Sequence, residues 1–68
     1  MKEIKINTDI IKLDAFMKWA AMVVNGGEAK VIIQEGLVKV NGNIETQRGK
    51  KLTVNDIVEF DGESYKIV

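Results

Sequence analysis

The chemistry open to this chain is limited to lysine, arginine, carboxylate and hydroxyl side chains, because histidine and cysteine are both absent. The chain therefore lacks the commonest general base, the commonest metal ligands and any disulfide. Hydroxyl groups remain as nucleophiles, but no base motif stands beside any of them. We predict no enzymatic activity, no metal site and no cofactor. The hydroxyl side chains are Thr8, Thr46, Thr53, Ser64 and Tyr65.

Charge is unevenly distributed along the chain, although its formal net charge is zero. Residues 12–51 carry seven cations against four anions, whereas residues 52–68 carry one cation against four anions. A zero total argues against a strongly basic nucleic-acid binder, but separate positive and negative regions can still exist on one surface. The acidic residues of the last segment have no spacing that resembles a Ca²⁺-binding loop, so we interpret them as solvated.

The densest basic segment is residues 47–51, which read QRGKK. Arg48, Lys50 and Lys51 are its cations, and Gly49 lets the backbone approach a ligand closely. Charge runs of this kind are usually solvated loops, and the alternative is a phosphate-binding segment. Lys12 and Lys18 are secondary candidates for the same role.

Two further lysines, Lys30 and Lys39, lie on either side of Gly36. Lys30 and Gln34 are four residues apart and are predicted to share the solvent side of a helix, whose start followed by cations suits a phosphate. Lys39 alternates with valines and should point away from the core, although a lysine on an edge strand also discourages aggregation. We expect the turn at Gly36 to bring Lys30 and Lys39 onto one surface.

Hydrophobic periodicity predicts a strand over residues 2–7, which read KEIKIN, and then a helix. We expect residues 25–27, Asn-Gly-Gly, to end this first helix and an Asp14–Lys18 pair to support it. Trp19 lies off its apolar stripe; packing is the favoured interpretation and stacking on a base the other. The apolar face at helical spacing consists of Leu13, Phe16, Met17, Ala20 and Val24.

A second helix is predicted from about residue 27 to 35, with Ala29, Ile32 and Ile33 pointing inward and Gly36 ending it. The period of two then returns. Residues 37–40 predict a strand, and Asn41-Gly42 is a strong hairpin signal, so we expect Asn41 to serve the turn more than a ligand. Further strands are predicted over 43–46, 56–60 and 65–68, with a turn at Asp61-Gly62.

The predicted order β-α-α-β-β-β-β indicates an α+β domain with two helices packed on one face of a small, mostly antiparallel sheet. Its length of 68 residues suits a single domain spanning 1–68. The N-terminal residues lack the apolar stretch of a signal peptide, and no segment has the roughly 20 apolar residues needed to span a bilayer. We expect a cytoplasmic protein without a membrane partner.

Five short motifs follow one another in a fixed order over about residues 12–60. They are Lys12-Leu13-Asp14 with Phe16, Gly26-Gly27, Ala29, the segment GLVKVNG at 36–42, and Asn55-Asp56-Ile57. With these motifs the sequence resembles the RNA-binding domain named after small-subunit ribosomal protein S-four, also called the αL motif. Its segments GGEAK and ETQRGKKL resemble the stand-alone YaaA/YbcJ-like branch of that family.

The resemblance implies a non-catalytic module, expected to be monomeric, that binds structured RNA, and we expect this RNA to be ribosomal. It also departs from the family pattern. Gly26-Gly27 stands where the family often has Ser-Arg, so the turn lacks its own cation, Lys12 replaces Arg, and Asn55 replaces Gly. The alternative function is a protein-interaction module without a nucleic-acid role. The candidate RNA-binding residues are Lys30, Lys39, Arg48, Lys50 and Lys51, with Gln34, Asn41, Lys12 and Lys18.

Overall fold

Nine short elements make up the fold in a computed structural model that describes residues 1–68. Two are helices and seven are strands. Neither helix is long and apolar enough to span a lipid bilayer. In chain order the elements are β1 (Lys2–Ile4), β2 (Ile11–Lys12), α1 (Leu13–Trp19), α2 (Gly26–Gln34), β3 (Val38–Val40), β4 (Asn43–Ile44), β5 (Lys51–Leu52), β6 (Ile57–Phe60) and β7 (Glu63–Ile67).

The main sheet has five strands in the order β1-β7-β6-β3-β4. Only the β1–β7 pair is parallel, and all other neighbours are antiparallel. The predicted α+β class with a mostly antiparallel sheet is therefore confirmed. Two strands are additional to the prediction: β2 and β5 pair antiparallel as a separate ribbon, which includes Lys51 from the segment predicted to be a loop.

Both helices pack on one face of the sheet around a single hydrophobic core. Successive strand residues point to opposite faces, so the buried alternate positions Val38 and Val40 of β3 mark the helix-covered face. Thirteen residues are buried and none of them is charged. The fully buried side chains from the helices are Leu13, Phe16, Met17, Ala29 and Ile33, and from the strands Val38, Leu52, Val58 and Ile67.

Helix α1 ends earlier than the periodicity predicts. Its last residue is Trp19, and Ala21 adopts a left-handed φ of 60°, which breaks the helical backbone. Val24 is 85% exposed, so it is not part of the apolar face and that prediction is wrong. Asn25 begins the next helix instead of ending this one, because its side-chain oxygen accepts the backbone N–H of Glu28 at 2.9 Å.

The predicted second helix and the predicted turns at Gly36 and Asn41-Gly42 are confirmed. Helix α2 begins at Gly26 and ends at Gln34, and Gly36 takes the positive φ of 77° that follows a helix end. Asn41 and Gly42 both have positive φ, as in a type I′ hairpin. Strand β1 is shorter than predicted, although Ile6 beyond it is buried and donates its backbone N–H to Val68.

Candidate nucleic-acid interface

Two lysines face each other across the β2–β5 ribbon. In its register Ile11 pairs with Leu52, and Lys12 pairs with Lys51. Leu52 is fully buried, and both lysines point to solvent. Directly opposed residues of an antiparallel pair have Cβ atoms roughly 4.5–5.5 Å apart, and like charges at that distance destabilise the pair. The ribbon therefore concentrates positive charge at a cost to folding.

Lys12 is also placed unfavourably with respect to α1. It occupies the N-cap position of that helix and makes no side-chain capping hydrogen bond. The N-terminus of a helix carries partial positive charge, which favours anions over cations. A lysine here raises the local positive potential and does not stabilise the helix. Both placements of Lys12 suit a bound anion better than they suit the folded chain alone.

The basic segment 47–51 is held against the start of α1 by its backbone. The N–H of Leu13 donates to the carbonyl of Lys50 at 2.8 Å, and the N–H of Asp14 donates to the carbonyl of Arg48 at 3.1 Å. These bonds satisfy two of the four N–H groups that a helix start leaves without an intrahelical partner. The segment is thus a fixed part of the surface around Lys12. We call Lys12, Arg48, Lys50 and Lys51 the cationic ribbon.

Arg48 makes the one ion pair in the structure. Its Nε donates to Asp14 Oδ2 at 2.9 Å, with side chains 43% and 18% exposed. The predicted Asp14–Lys18 pair is therefore wrong, since the folded segment presents Asp14 with a guanidinium from 34 residues away. Partly exposed pairs of this kind contribute up to about 1 kcal/mol. The pair orients Arg48 and partly neutralises it.

The same guanidinium lies beside the turn between the helices. Arg48 Nη2 is 3.7 Å from the place where a Cβ on Gly26 would lie, which is ordinary van der Waals contact. The Gly26-Gly27 turn lacks its own cation in the sequence, but the fold brings Arg48 to the first residue of α2. The cationic ribbon therefore extends from β2 to the start of the second helix.

The candidate residues on the helices lie in the same layer as the ribbon. Lys30 and Gln34 are exposed on α2, as predicted, and Lys18 is exposed on α1. None of them forms an ion pair or a side-chain hydrogen bond within the chain. Their polar groups are free for a ligand.

Lys39 lies on the other layer of the molecule. Its neighbours Val38 and Val40 point into the core, so Lys39 points off the sheet face that the helices leave open. Its cross-strand partners are Glu59 on β6 and Ile44 on β4. The sheet therefore separates Lys39 from the helix layer that carries Lys30, and the structure does not bring these two lysines onto one surface as predicted.

Asn41 uses both ends of its side-chain amide to hold two turns together. Its Oδ1 accepts the N–H of Ile57 at 2.9 Å, and its Nδ2 donates to Asp56 Oδ1 at 3.0 Å. Asp56 Oδ2 in turn accepts the N–H of Thr53 at 2.8 Å. Two of the motifs in the sequence, the Asn-Gly hairpin and Asn55-Asp56-Ile57, are thus bonded to each other. This geometry favours the turn role of Asn41 over a ligand role.

Trp19 is more exposed than the packing interpretation predicts. Its side chain is 54% exposed, and its Nε1 donates to the carbonyl of Lys5 at 2.8 Å. The acidic residues form no site of their own, since no group of three or more His, Cys, Asp or Glu side chains is arranged to hold a metal ion. The potential interface therefore consists of cations, amides and one anchored indole ring.

Comparison with known proteins identifies the family. The family model described as "S4 domain" matches residues 4–68. A Bacillus subtilis (strain 168) protein named "Probable ribosome maturation protein RlbA" is 41% identical over 66 residues, covering 96% of this chain and 93% of the relative. An Escherichia coli (strain K12) protein named "Putative RNA-binding protein YbcJ" is 35% identical over 60 residues, covering 88% and 77%. The chain belongs to the S4 domain family.

Proposed function

We propose that this chain is a non-catalytic RNA-binding module that takes structured RNA, ribosomal RNA in particular, on the cationic ribbon. The observation that carries the proposal is the Lys12–Lys51 pair, in which two exposed lysines occupy directly opposed positions and neither forms an ion pair with an acidic side chain. An RNA phosphate beside them adds two attractions, which offset the repulsion between the lysines. Lys18, Lys30 and Gln34 extend the surface along the helices.

The comparisons support RNA as the ligand. The family is that of the S4 domain, and one relative is named an RNA-binding protein. The name of the other relative, a ribosome maturation protein, favours ribosomal RNA. A chain without histidine or cysteine is also poorly equipped for catalysis. A monomer acting in the cytoplasm fits this proposal.

The proposed contacts are mainly to phosphates, which position the protein and carry little sequence information. Selectivity then comes from RNA shape, because the deep major groove of A-form RNA hides the base edges from side chains. Lys39 and Asn41 are expected to contribute least. Lys39 faces Glu59 across the strands, and the Asn41 amide is already engaged by Ile57 and Asp56.

A salt titration tests the proposal. Four or five phosphate contacts predict an affinity loss on the order of 100-fold between 50 and 200 mM salt, because each neutralised phosphate releases counterions. Fluorescence anisotropy with folded fragments of ribosomal RNA measures the slope. A flat salt response, or no binding to any fragment, would overturn the proposal.

Alanine variants locate the surface. Replacing Arg48, Lys50 and Lys51 together is expected to reduce the slope of log affinity against log salt by about 2 to 3 while circular dichroism stays unchanged. The control removes two charges, those of Lys39 and Lys66, from the sheet face that the helices leave open. An equal loss of slope per charge in both variants would contradict the assignment of the ribbon.

The alternative, a protein-interaction module, makes an opposite prediction. A partner captured by the tagged chain should stay bound after ribonuclease treatment if the contact is between proteins. Under our proposal the captured material is RNA, together with proteins that are lost when the RNA is digested. Binding of a purified partner without RNA, combined with absent RNA binding, would replace the proposal with this alternative.

A further inference from the structure

A shallow apolar groove lies on α1 beside the cationic ribbon. Its lining residues are Ile11, Ala15, Lys18 and Trp19. The Trp19 indole is half exposed, and the hydrogen bond from its Nε1 to the carbonyl of Lys5 fixes the ring against the N-terminal segment. The groove therefore presents a rigid aromatic face to solvent.

The charge around the groove is positive. Lys18 is one of its four lining residues, none of which is acidic. Ile11 belongs to β2, where the next residue is Lys12 of the cationic ribbon. A ligand that occupies the groove thus meets an apolar floor with one ammonium at the rim, and Lys12 follows one residue further along β2, on the opposite side of the strand from Ile11.

We propose that this groove stacks an unpaired base of an RNA whose phosphates lie on the cationic ribbon; the inference rests on the proposed function. A nucleotide is a flat aromatic ring joined to an anion, which matches an indole face with Lys18 beside it. A base inside a duplex cannot enter, because it is already stacked between its neighbours. The one charged residue that lines the groove is a lysine, which favours an anionic occupant, so RNA is the occupant that we propose.

The intrinsic fluorescence of the chain can test whether the contact requires a base, because Trp19 is its single tryptophan. The probes are an RNA hairpin with a single-stranded tail of adenosines, the same hairpin with abasic tail positions, and the blunt hairpin. The fluorescence anisotropy of a fluorescein-labelled copy of each RNA measures binding independently of Trp19. We expect the adenosine tail to quench Trp19 and to bind about 10-fold more tightly than the abasic tail.

The outcomes separate this inference from the proposed function. Salt-dependent binding of all three RNAs without a quench, or with an equal quench from the abasic tail, would overturn the stacking contact and leave the proposed function intact. Absence of binding to any of the three would overturn both. Quenching by the adenosine tail alone supports the inference, since the abasic tail retains the phosphates.

Variants exclude an effect on folding. Trp19→Ala is expected to lower affinity about 10-fold for the adenosine-tailed hairpin and less than 2-fold for the blunt hairpin. Trp19→Phe, which lacks the bond to Lys5, should retain part of the difference. Val31→Ala is the control, because Val31 is 55% exposed on α2, much like Trp19. Equal loss for tailed and blunt RNAs in Trp19→Ala would overturn the inference.

Discussion

Two cross-strand pairs in this small protein have the same geometry and opposite electrostatics. On the β2–β5 ribbon Lys12 faces Lys51, and on the open face of the main sheet Lys39 faces Glu59. All four residues come from antiparallel pairs and point away from the core. Cross-strand pairs contribute roughly 0.2–1 kcal/mol, favourable for opposite charges and unfavourable for like charges. The Lys39–Glu59 pair on the sheet face therefore favours folding, and the Lys12–Lys51 pair on the ribbon opposes it.

The difference indicates which lysines the fold explains and which it leaves unexplained. Lys39 has an acidic neighbour in Glu59, so its position needs no ligand. The edge-strand role considered for Lys39 is wrong, because β3 is paired with β4 on one side and β6 on the other. Lys12 and Lys51 have no acidic partner, and Lys12 also opposes the dipole of α1. Cations that destabilise the free protein are explained if a bound anion offsets their mutual repulsion.

Reversing the charges of Lys12 and Lys51 should separate RNA binding from folding. In the double variant Lys12→Glu/Lys51→Glu, RNA affinity at 50 mM salt is expected to fall on the order of 100-fold or more, because two phosphate contacts become repulsions. The free energy of unfolding should not decrease, since a like-charge pair is retained and a glutamate at the start of α1 suits the helix dipole. Anisotropy and urea denaturation measure the two quantities.

The single variant Lys51→Glu is the matched control for that experiment. It creates an opposite-charge pair with Lys12, so stability should rise by up to about 1 kcal/mol while affinity falls about 10-fold. Opposite directions for stability and binding in one variant are expected only if the ribbon serves a ligand. If stability and affinity fall together, the lysines have a structural role instead.

Changing Asn41 to Asp should show that this residue serves the turn. The substitution places a second carboxylate against Asp56 Oδ1, which now accepts the Asn41 Nδ2 at 3.0 Å. We expect the free energy of unfolding to fall by about 1–2 kcal/mol. Asn43→Asp adds the same charge two residues further on and serves as the control. A selective loss of RNA affinity in Asn41→Asp with unchanged stability would instead make Asn41 a ligand.

Local signals in the sequence predicted much of the fold. Asn41-Gly42 and Asp61-Gly62 supply the positive φ values of their hairpins, and Gly36 does so after α2. These signals are local, because each depends on the conformational freedom of one or two residues. The apolar positions of α2 were also predicted, since Ala29 and Ile33 repeat at helical spacing and are buried.

Features that depend on distant partners could not be predicted in this way. Strands β2 and β5 have two residues each, too few for a period of two to be recognised, and nearly 40 residues separate them in the chain. Without that pairing, Lys12 and the basic segment 47–51 remained separate candidates. The Asp14–Arg48 pair was missed for the same reason, because Lys18 one helical turn away was the only partner visible locally.

Exchanging the charges on the sheet face should leave binding nearly unchanged. Glu59→Lys alone places two lysines opposite each other and should lower the free energy of unfolding by roughly 0.2–1 kcal/mol. The double variant Lys39→Glu/Glu59→Lys restores an opposite-charge pair and should recover that loss. We expect RNA affinity of the double variant to stay within about 2-fold of the original chain, since net charge is conserved. A larger loss in the double variant would add Lys39 to the RNA surface.

The smallest expected effect concerns Asp14, the one anion held against the ribbon. Asp14→Asn keeps an oxygen for the N–H of Ala15, which Asp14 Oδ1 accepts at 2.8 Å, and removes the charge that faces Arg48. RNA affinity at 50 mM salt should rise about 2- to 5-fold, because the ribbon gains one net positive charge. The cost in unfolding free energy is expected to be at most about 1 kcal/mol, as for other partly exposed pairs.

The control for Asp14 is Glu3→Gln, which removes a negative charge from edge strand β1, where Glu3 faces Lys66. An equal gain in affinity in both variants would mean that net charge alone governs binding. It would contradict the assignment of the cationic ribbon as the RNA-binding surface. A decrease in affinity for Asp14→Asn would show that Asp14 mainly orients Arg48. The backbone bonds from Leu13 and Asp14 to the segment argue against that result, because they hold it in place without the ion pair. Local neutralisation of one ribbon cation is therefore the effect that we expect Asp14 to have.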